Sequence, residues 1–338
     1  MSQFSVPVIQ LGKVGKHPNA DTLSITTVMG CPVIFRTGDF VEGSLAIYVP
    51  VDAVVPKIVP GTEFLGDKRR IKAMKIRGIF SMGLLLPASL VTPDPYGNYP
   101  AIGDDMSDYL CITKYEEPED LRTGTATAKA PKLPFPAPVY DIESWRKYGP
   151  FTDAAADEVV ITEKLHGTNS RFVFAEGELH VGSHTQWKKN EPGCVWWRMA
   201  RQYNLAEKLA KWPDFIFYGE TYGAVQDLRY GHEKGQASLR FFDIYDANTG
   251  KWVDDAPFER ILGELDLTRV PVLYHGPLAG APDLDELAKG KSTIADNIRE
   301  GIVIKPTEEL WCDTYGRVIL KLVGEDYLLR RGSTTEFH

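Results

Sequence analysis

The stretch Val159-Val160-Ile161-Thr162-Glu163-Lys164-Leu165-His166-Gly167-Thr168-Asn169 carries an apolar, β-branched run into a lysine that stands three residues before a glycine. Such a run predicts a strand, expected over Asp157 to Glu163. Gly167 marks a turn, so Lys164 is expected at a strand end, at the mouth of a pocket. A lysine amine becomes a nucleophile when desolvation or neighbouring cations lower its pKa. A single Lys-x-x-Gly is more often a solvated lysine at a turn, and the surrounding chain has to decide between the two.

Downstream, four further clusters fall at predicted strand ends: Tyr218-Gly219-Glu220-Thr221-Tyr222-Gly223, Phe241-Phe242-Asp243-Ile244-Tyr245, Glu300-Gly301-Ile302-Val303-Ile304-Lys305-Pro306 and Leu320-Lys321-Leu322-Val323. Each alone reads as a turn or cap, but together they fit one task. Moving a nucleotide from a triphosphate onto a protein amine needs a nucleophile, cations around the α-phosphate, an acidic metal ligand and a slot for base and ribose. Lys164 suits the first role, and Lys305 and Lys321 suit the second. Glu300 is expected on the face of these lysines, where it can hold Mg²⁺. Glu220 can accept ribose hydroxyls and Phe242 can offer a ring face to a purine. The clustered cations also give a reason for Lys164 to deprotonate near neutral pH.

Further strands are expected over Ser170 to Ala175, Phe215 to Gly219, Leu239 to Tyr245, Gly301 to Lys305 and Val318 to Leu322. Helices are expected over Val195 to Lys211, Pro257 to Leu265 and Asp283 to Lys289. No strict βαβ alternation with a glycine-rich first turn is present, which favours a mainly antiparallel α+β domain over a Rossmann fold. The N-terminal part is different. Val6 to Leu11, Leu23 to Met29, Val33 to Arg36, Leu45 to Val49 and Ile79 to Leu86 read as short strands between tight-turn signals, the pattern of a small OB-type barrel, with an SH3-like barrel open on pattern alone. Pro87 to Pro138 is rich in proline, glycine, threonine and acids, an irregular connection expected to pack on a neighbouring domain, with a short helix near Asp104 to Ile112.

The chain has 338 residues and a formal net charge of -8, enough length for about two domains and too acidic for bulk attraction to nucleic acid. Local basic tracks are still present. One runs from Lys68 through Arg69, Arg70, Lys72 and Lys75 to Arg77, and another begins at Lys188 and Lys189 beside Trp187, Trp196 and Trp197. The four cysteines stand far apart, with no zinc-ligand pairing. No apolar run reaches the roughly 20 residues of a membrane span, and the first residues do not read as a signal peptide, so a cytoplasmic protein is expected.

The ordered set EKLHGTN, FYGETYG, FFDIYD, EGIVIKP and LKLV resembles the motifs of covalent nucleotidyltransferases, the superfamily of ATP-dependent ligases and mRNA capping enzymes. The likeness covers about Val139 to Arg331 and is greatest to RNA ligases of the ligase 2 branch, because His166 stands where DNA ligases and capping enzymes more usually carry aspartate. His17-Pro18-Asn19-Ala20-Asp21 and Lys75 to Leu84 resemble OB modules, and an OB module placed first is similar to ligase 5 architecture. The resemblance implies an OB-fold domain over 1–115, a linker over 116–138 and an ATP-grasp-like, mainly antiparallel nucleotidyltransferase domain over 139–338.

It further implies ATP with Mg²⁺ or Mn²⁺, and Lys164 as the residue that becomes lysyl-AMP. His166, Lys305 and Lys321 would assist. Glu163, Leu165, Asn169, Glu220, Phe242, Lys305 and Lys321 would bind the nucleotide, and Glu300 with Asp243 the metal. The expected partner is RNA or a nicked duplex containing RNA, met by a monomer. Two departures stand out: Val323 replaces a lysine that family members often carry, and Gly182-Ser183-His184-Thr185 lacks an arginine found in some, with Lys188 or Lys189 as substitutes. The alternatives are a GTP-dependent capping guanylyltransferase and a non-catalytic RNA-binding OB protein.

Overall fold

The computed structural model describes residues 4–93, 97, 99–115, 124–133, 135–149 and 158–330. The chain divides into two compact units, Ser2–Glu117 with Leu328–His338, and Pro118–Tyr327 with Met1.

The first unit is built from β1 (Val8–Gln10), β2 (Gly15–Lys16), β3 (Leu23–Val28), β4 (Cys31–Arg36), β5 (Leu45–Val49), β6 (Ala53–Val54), β7 (Met74–Ile76), β8 (Ile79–Ser81), β9 (Leu84–Pro87) and β10 (Thr113–Lys114). They pair as β1-β5-β9, β2-β3-β4, β7-β8 and β6-β10, all antiparallel. Alternation puts Val8, Ile47, Val49 and Leu86 into one buried cluster and Val33, Phe35, Ala46, Tyr48 and Leu85 into another. The single strand expected over Ile79 to Leu86 is two. Gly83 has φ +82°, and a Cβ there would lie 2.5 Å from the Tyr48 ring and 2.8 Å from the Val49 carbonyl, so the chain kinks around a close contact. The helix expected near Asp104 to Ile112 is a run of turns, where Asp105 accepts from the Val6 and Ser107 amides instead.

The second unit contains β11 (Glu143–Ser144), α1 (Trp145–Tyr148), β12 (Glu158–Lys164), β13 (Gly167–Ala175), β14 (Glu178–Gly182), α2 (Val195–Gln202), α3 (Leu205–Leu209), β15 (Phe215–Gly223), β16 (Ala237–Asp246), β17 (Lys251–Trp252), α4 (Asp255–Glu264), β18 (Val272–Pro277), α5 (Leu284–Leu287), β19 (Gly301–Pro306), β20 (Trp311–Cys312), β21 (Gly316–Arg317) and β22 (Leu320–Val323), followed by α6 (Glu325–Leu329) at its end. One five-stranded sheet runs β11-β22-β19-β12-β18 and the other β14-β13-β15-β16-β17; only β11-β22 is parallel. The helix expected over Val195 to Lys211 is broken by Asn204, which takes φ +52°. Residues 124–133 of the expected linker lie along this unit, with Ala130 N–H on the Trp187 carbonyl and Lys189 N–H on the Ala128 carbonyl.

Each sheet buries one face on its own core. The β12 sheet packs Val159, Ile161, Ile302, Ile304 and Leu322 together, and the β13 sheet packs Phe172, Phe217, Phe241 and Ile244 against α2, α3 and α4. The remaining faces meet in a shared cluster that joins Val173, Ile216 and Tyr218 of one sheet to Val303 beside Ile319 of the other. Polar residues that do not fit a core collect in this inter-sheet layer. Among the described residues, no helix is long and apolar enough to cross a membrane.

Candidate active site

β12 ends at Lys164 and β13 begins at Gly167, so the chain passes from one sheet to the other across Leu165 and His166 alone. The close approach demands a glycine, since a Cβ on Gly167 would lie 2.2 Å from the Thr221 carbonyl oxygen. Directly opposed residues of an antiparallel pair share a face. The register Lys164↔Gly301↔Val323, Thr162↔Val303↔Lys321 and Val160↔Lys305 therefore puts Lys164, Lys305 and Lys321 on the inter-sheet face. Asn169↔Glu220↔Arg240 forms a row on the facing sheet.

Lys164 donates to Glu300 at 2.6 Å, with the carboxylate side chain 1% exposed. The other Glu300 oxygen, Oε2, is buried without a hydrogen-bond partner and lies 3.9 Å from His166 Nδ1. His166 is gripped on three sides. Its amide donates to Tyr230 Oη at 2.7 Å, Nε2 meets Asp227 at 2.6 Å, and Nδ1 meets Tyr327 Oη at 2.8 Å. Burial, ahead of the nearby carboxylates, pushes the Tyr230 hydroxyl well above its ordinary value, so it stays a neutral hydrogen-bonding group. Leu165 packs with Tyr222, Tyr230 and Val270, with Phe242 and Ile294 at the edge of the cluster. Asp227, Tyr230 and Tyr327 were not foreseen. Each is a lone residue on a loop or short helix, without a spacing to mark it.

A second polar cluster surrounds Asp243, whose carboxylate is fully buried. Oδ1 accepts from Lys305 at 3.2 Å and from the Ile244 amide at 3.0 Å; Oδ2 accepts from Tyr140 at 2.7 Å and Arg317 at 2.6 Å. Four donors match the roughly four lone-pair sites of a carboxylate. That argues against the metal role expected for Asp243. Burial alone would raise its pKa, but Arg317 and Lys305 more than reverse this and hold the carboxyl below its usual range. Tyr140 is pushed far up, first by burial and then by Asp243. Arg317, also paired with Glu309, lies over the Trp252 ring at 3.9 Å. Phe242 is the unpaired residue of a bulge in β16, because Tyr218 opposes Asp243 while Gly219 opposes Phe241. Its ring centroid is 4.6 Å from that of Tyr140.

The expected residues therefore form two groups. Lys164, His166, Leu165 and Glu300 gather at the crossover, while Lys305 on β19 joins Asp243 opposite Val160, four residues back along β12 from Lys164, a separation of roughly 13 Å. Glu163, expected to bind nucleotide, turns its side chain to the opposite face from Lys164 and accepts from Thr293. The basic tracks also change. Arg69 donates to the carbonyls of Val55, Pro56 and Thr62, and Arg70 is paired with Asp52 over the Tyr115 ring, so both brace the barrel unit. Lys72, Lys75 and Arg77 remain on the surface. Lys188 is 1% exposed, 5.0 Å from the Trp196 ring, and is removed from the second track; Lys189 is exposed.

The site thus sets a lysine held by a carboxylate at the crossover between two mainly antiparallel sheets. Residues 157–323 match the RNA ligase family model, and residues 6–88 match an OB-fold domain model. The chain thus carries an RNA ligase family domain behind an OB-fold domain. No curated protein sequence matches it. Among solved structures it resembles Naegleria gruberi RNA ligase with PPi, at TM-score 0.84 and 19% identity over 97% of this chain and 98% of that one. It also resembles a lysine-to-alanine mutant of that ligase with ATP and Mn, at TM-score 0.82 and 19% identity over 96% and 98%. At these identities the likeness is one of fold.

Proposed function

We propose that the chain is an ATP-dependent RNA ligase that joins 3'-hydroxyl and 5'-phosphate ends. The observation that carries this reading is the buried Lys164–Glu300 pair at the crossover, inside a family domain whose solved neighbours hold ATP, AMP or PPi. Lys164 Nζ attacks the α-phosphorus, the phosphorus–nitrogen bond forms, and pyrophosphate leaves. The ammonium gives up a proton first, and Glu300, at 2.6 Å, is the base within reach. AMP then passes to the 5'-phosphate of the polynucleotide, and the 3'-hydroxyl displaces it.

Lys321 faces the same layer and is suited to the phosphate, while Glu220 and Asn169, paired across β13 and β15, are suited to the ribose side. Phe242 is suited to the base. A divalent cation fits one carboxylate here: the buried, unpartnered Oε2 of Glu300. No group of three or more His, Cys, Asp or Glu side chains gathers to hold a metal among the described residues, so the remaining ligands of Mg²⁺ or Mn²⁺ would be phosphate oxygens and water. The cation supplies charge neutralisation at the departing pyrophosphate. The substrate in this reading is a nick with RNA on its 3'-hydroxyl side, met by a monomer.

Incubation with ATP labelled in the α-phosphate and a divalent cation is expected to leave covalent label on the denatured polypeptide that is stable to alkali and released by acid, as a phosphoramidate is, and Lys164→Ala to abolish it. An unlabelled wild type, or a labelled Lys164→Ala, overturns the reading. Preference for GTP in the same assay would instead indicate a capping enzyme.

A further inference from the structure

Two adjacent dipeptides, Glu163-Lys164 and Arg299-Glu300, pair with opposite charge twice over. Lys164 meets Glu300 on the inter-sheet face, at 2.6 Å. On the other side Glu163 meets Arg299, with Oε2 3.8 Å from Nε. The second pair is the more deeply enclosed, its side chains 0% and 10% exposed. Such burial is costly unless the groups are tied into a network. The ties run to the end of α5 and to the loop that follows it. Glu163 Oε2 accepts from both the amide and the hydroxyl of Thr293 at 2.8 Å, and Arg299 Nη1 donates to the Leu287 carbonyl at 2.6 Å.

That loop, 290–299, closes on itself before it delivers Glu300. Arg299 N–H donates to the Gly290 carbonyl, Lys291 bridges Ile298, and Ser292 N–H donates to the Asn297 carbonyl. Its tip residues Ile294 and Ala295 pack against the cluster of Leu165, Tyr222 and Tyr230. The loop thus hangs from Glu163 at Thr293, beside its tip, and leads through Arg299 into the carboxylate that holds Lys164. Alternation along β12 explains why consecutive residues serve the two ends, since Glu163 and Lys164 point to opposite faces.

We propose that Glu163 is a positioning residue: through Thr293 and Arg299 it latches the 290–299 loop and so sets Glu300 against the Lys164 amine, without touching the nucleotide. This rests on the reading of Lys164 as the adenylated residue. A shift of about 1 Å in such a constellation costs on the order of a hundredfold in rate. Loss of the latch therefore lowers the chemical step, whereas loss of a nucleotide contact would weaken ATP binding.

The test is single-turnover formation of the lysyl adduct with labelled ATP, measured against ATP concentration, for wild type, Glu163→Gln, Thr293→Val and the double variant. The expected result is a maximal rate about tenfold or more below wild type, an ATP concentration at half-maximal rate within about twofold of wild type, and a double variant no slower than Glu163→Gln. A weakened ATP dependence with the maximal rate kept overturns the proposal. So do unchanged kinetics, or fully additive losses. Should Glu163→Gln fail to fold by its melting profile, Thr293→Val decides by the same split. An unlabelled wild type would refute the ligase reading itself, a result distinct from all of these.

Discussion

Replacing Asp243 by asparagine keeps the size of the side chain and removes its charge, leaving Lys305 and Arg317 side by side in a pocket with no exposure at Asp243. Breaking a buried ion pair from one side typically costs about 3–5 kcal/mol, because the stranded charges keep their desolvation penalty. Glu309 still partners Arg317, which favours the lower end. For a unit of this size each kcal/mol shifts the melting temperature by about 2–4 °C, so the variant is expected to melt roughly 6–20 °C lower near neutral pH. Its pH dependence is a second check. The native carboxyl is held below its ordinary value, so its stabilisation is present above the usual aspartate range of about 4 and is lost as pH falls through the depressed value. The gap between wild type and variant should therefore narrow at about pH 3. Thermal melts followed by circular dichroism at both pH values would decide. A variant within about 2 °C of wild type near pH 7, or a gap that does not narrow in acid, would refute the view that charge on Asp243 ties the sheets together.

Gly167→Ala places a Cβ 2.2 Å from the Thr221 carbonyl oxygen; it is expected to lower stability by about 1–3 kcal/mol and to suppress lysyl labelling. Gly193→Ala, with nothing within 4 Å, serves as the control that leaves both unchanged. In the barrel unit, Arg69→Ala is expected to cost about 2 kcal/mol in urea unfolding, because it empties several carbonyl contacts at once. Lys75→Ala and Arg77→Ala are expected to leave stability within about 0.5 kcal/mol. If they contact phosphate, each weakens RNA binding and lowers the salt slope by about 0.7–0.9.

The strands around the candidate site could be read from sequence because two-residue alternation is a local property. Val159, Ile161, Ile302 and Ile304 declare one face, and Lys164, Lys305 and Lys321 fall on the other by counting. The same counting places the Glu163 side chain on the opposite face from Lys164, where it accepts from Thr293. The role of Asp243 was hidden for a different reason. Its partners Tyr140, Lys305 and Arg317 lie 103, 62 and 74 residues away, and only the meeting of two sheets brings them together. Arg69 looked like part of a basic run because nothing local shows that its guanidinium turns inward to loop carbonyls. Val323 occupies the row of Lys164 and Gly301, and the row carries no second cation.

The two-residue passage from Lys164 to Gly167 also limits how this chain can vary in length. A single residue inserted there would slide β13 by one position, and because side chains alternate, every one of them would change sides. Asn169 and Arg171 would turn toward the helices, and Phe172 would turn toward the space between the sheets. Substitution can tune this motif, but its spacing is fixed by the geometry of a strand leaving one sheet and immediately joining another.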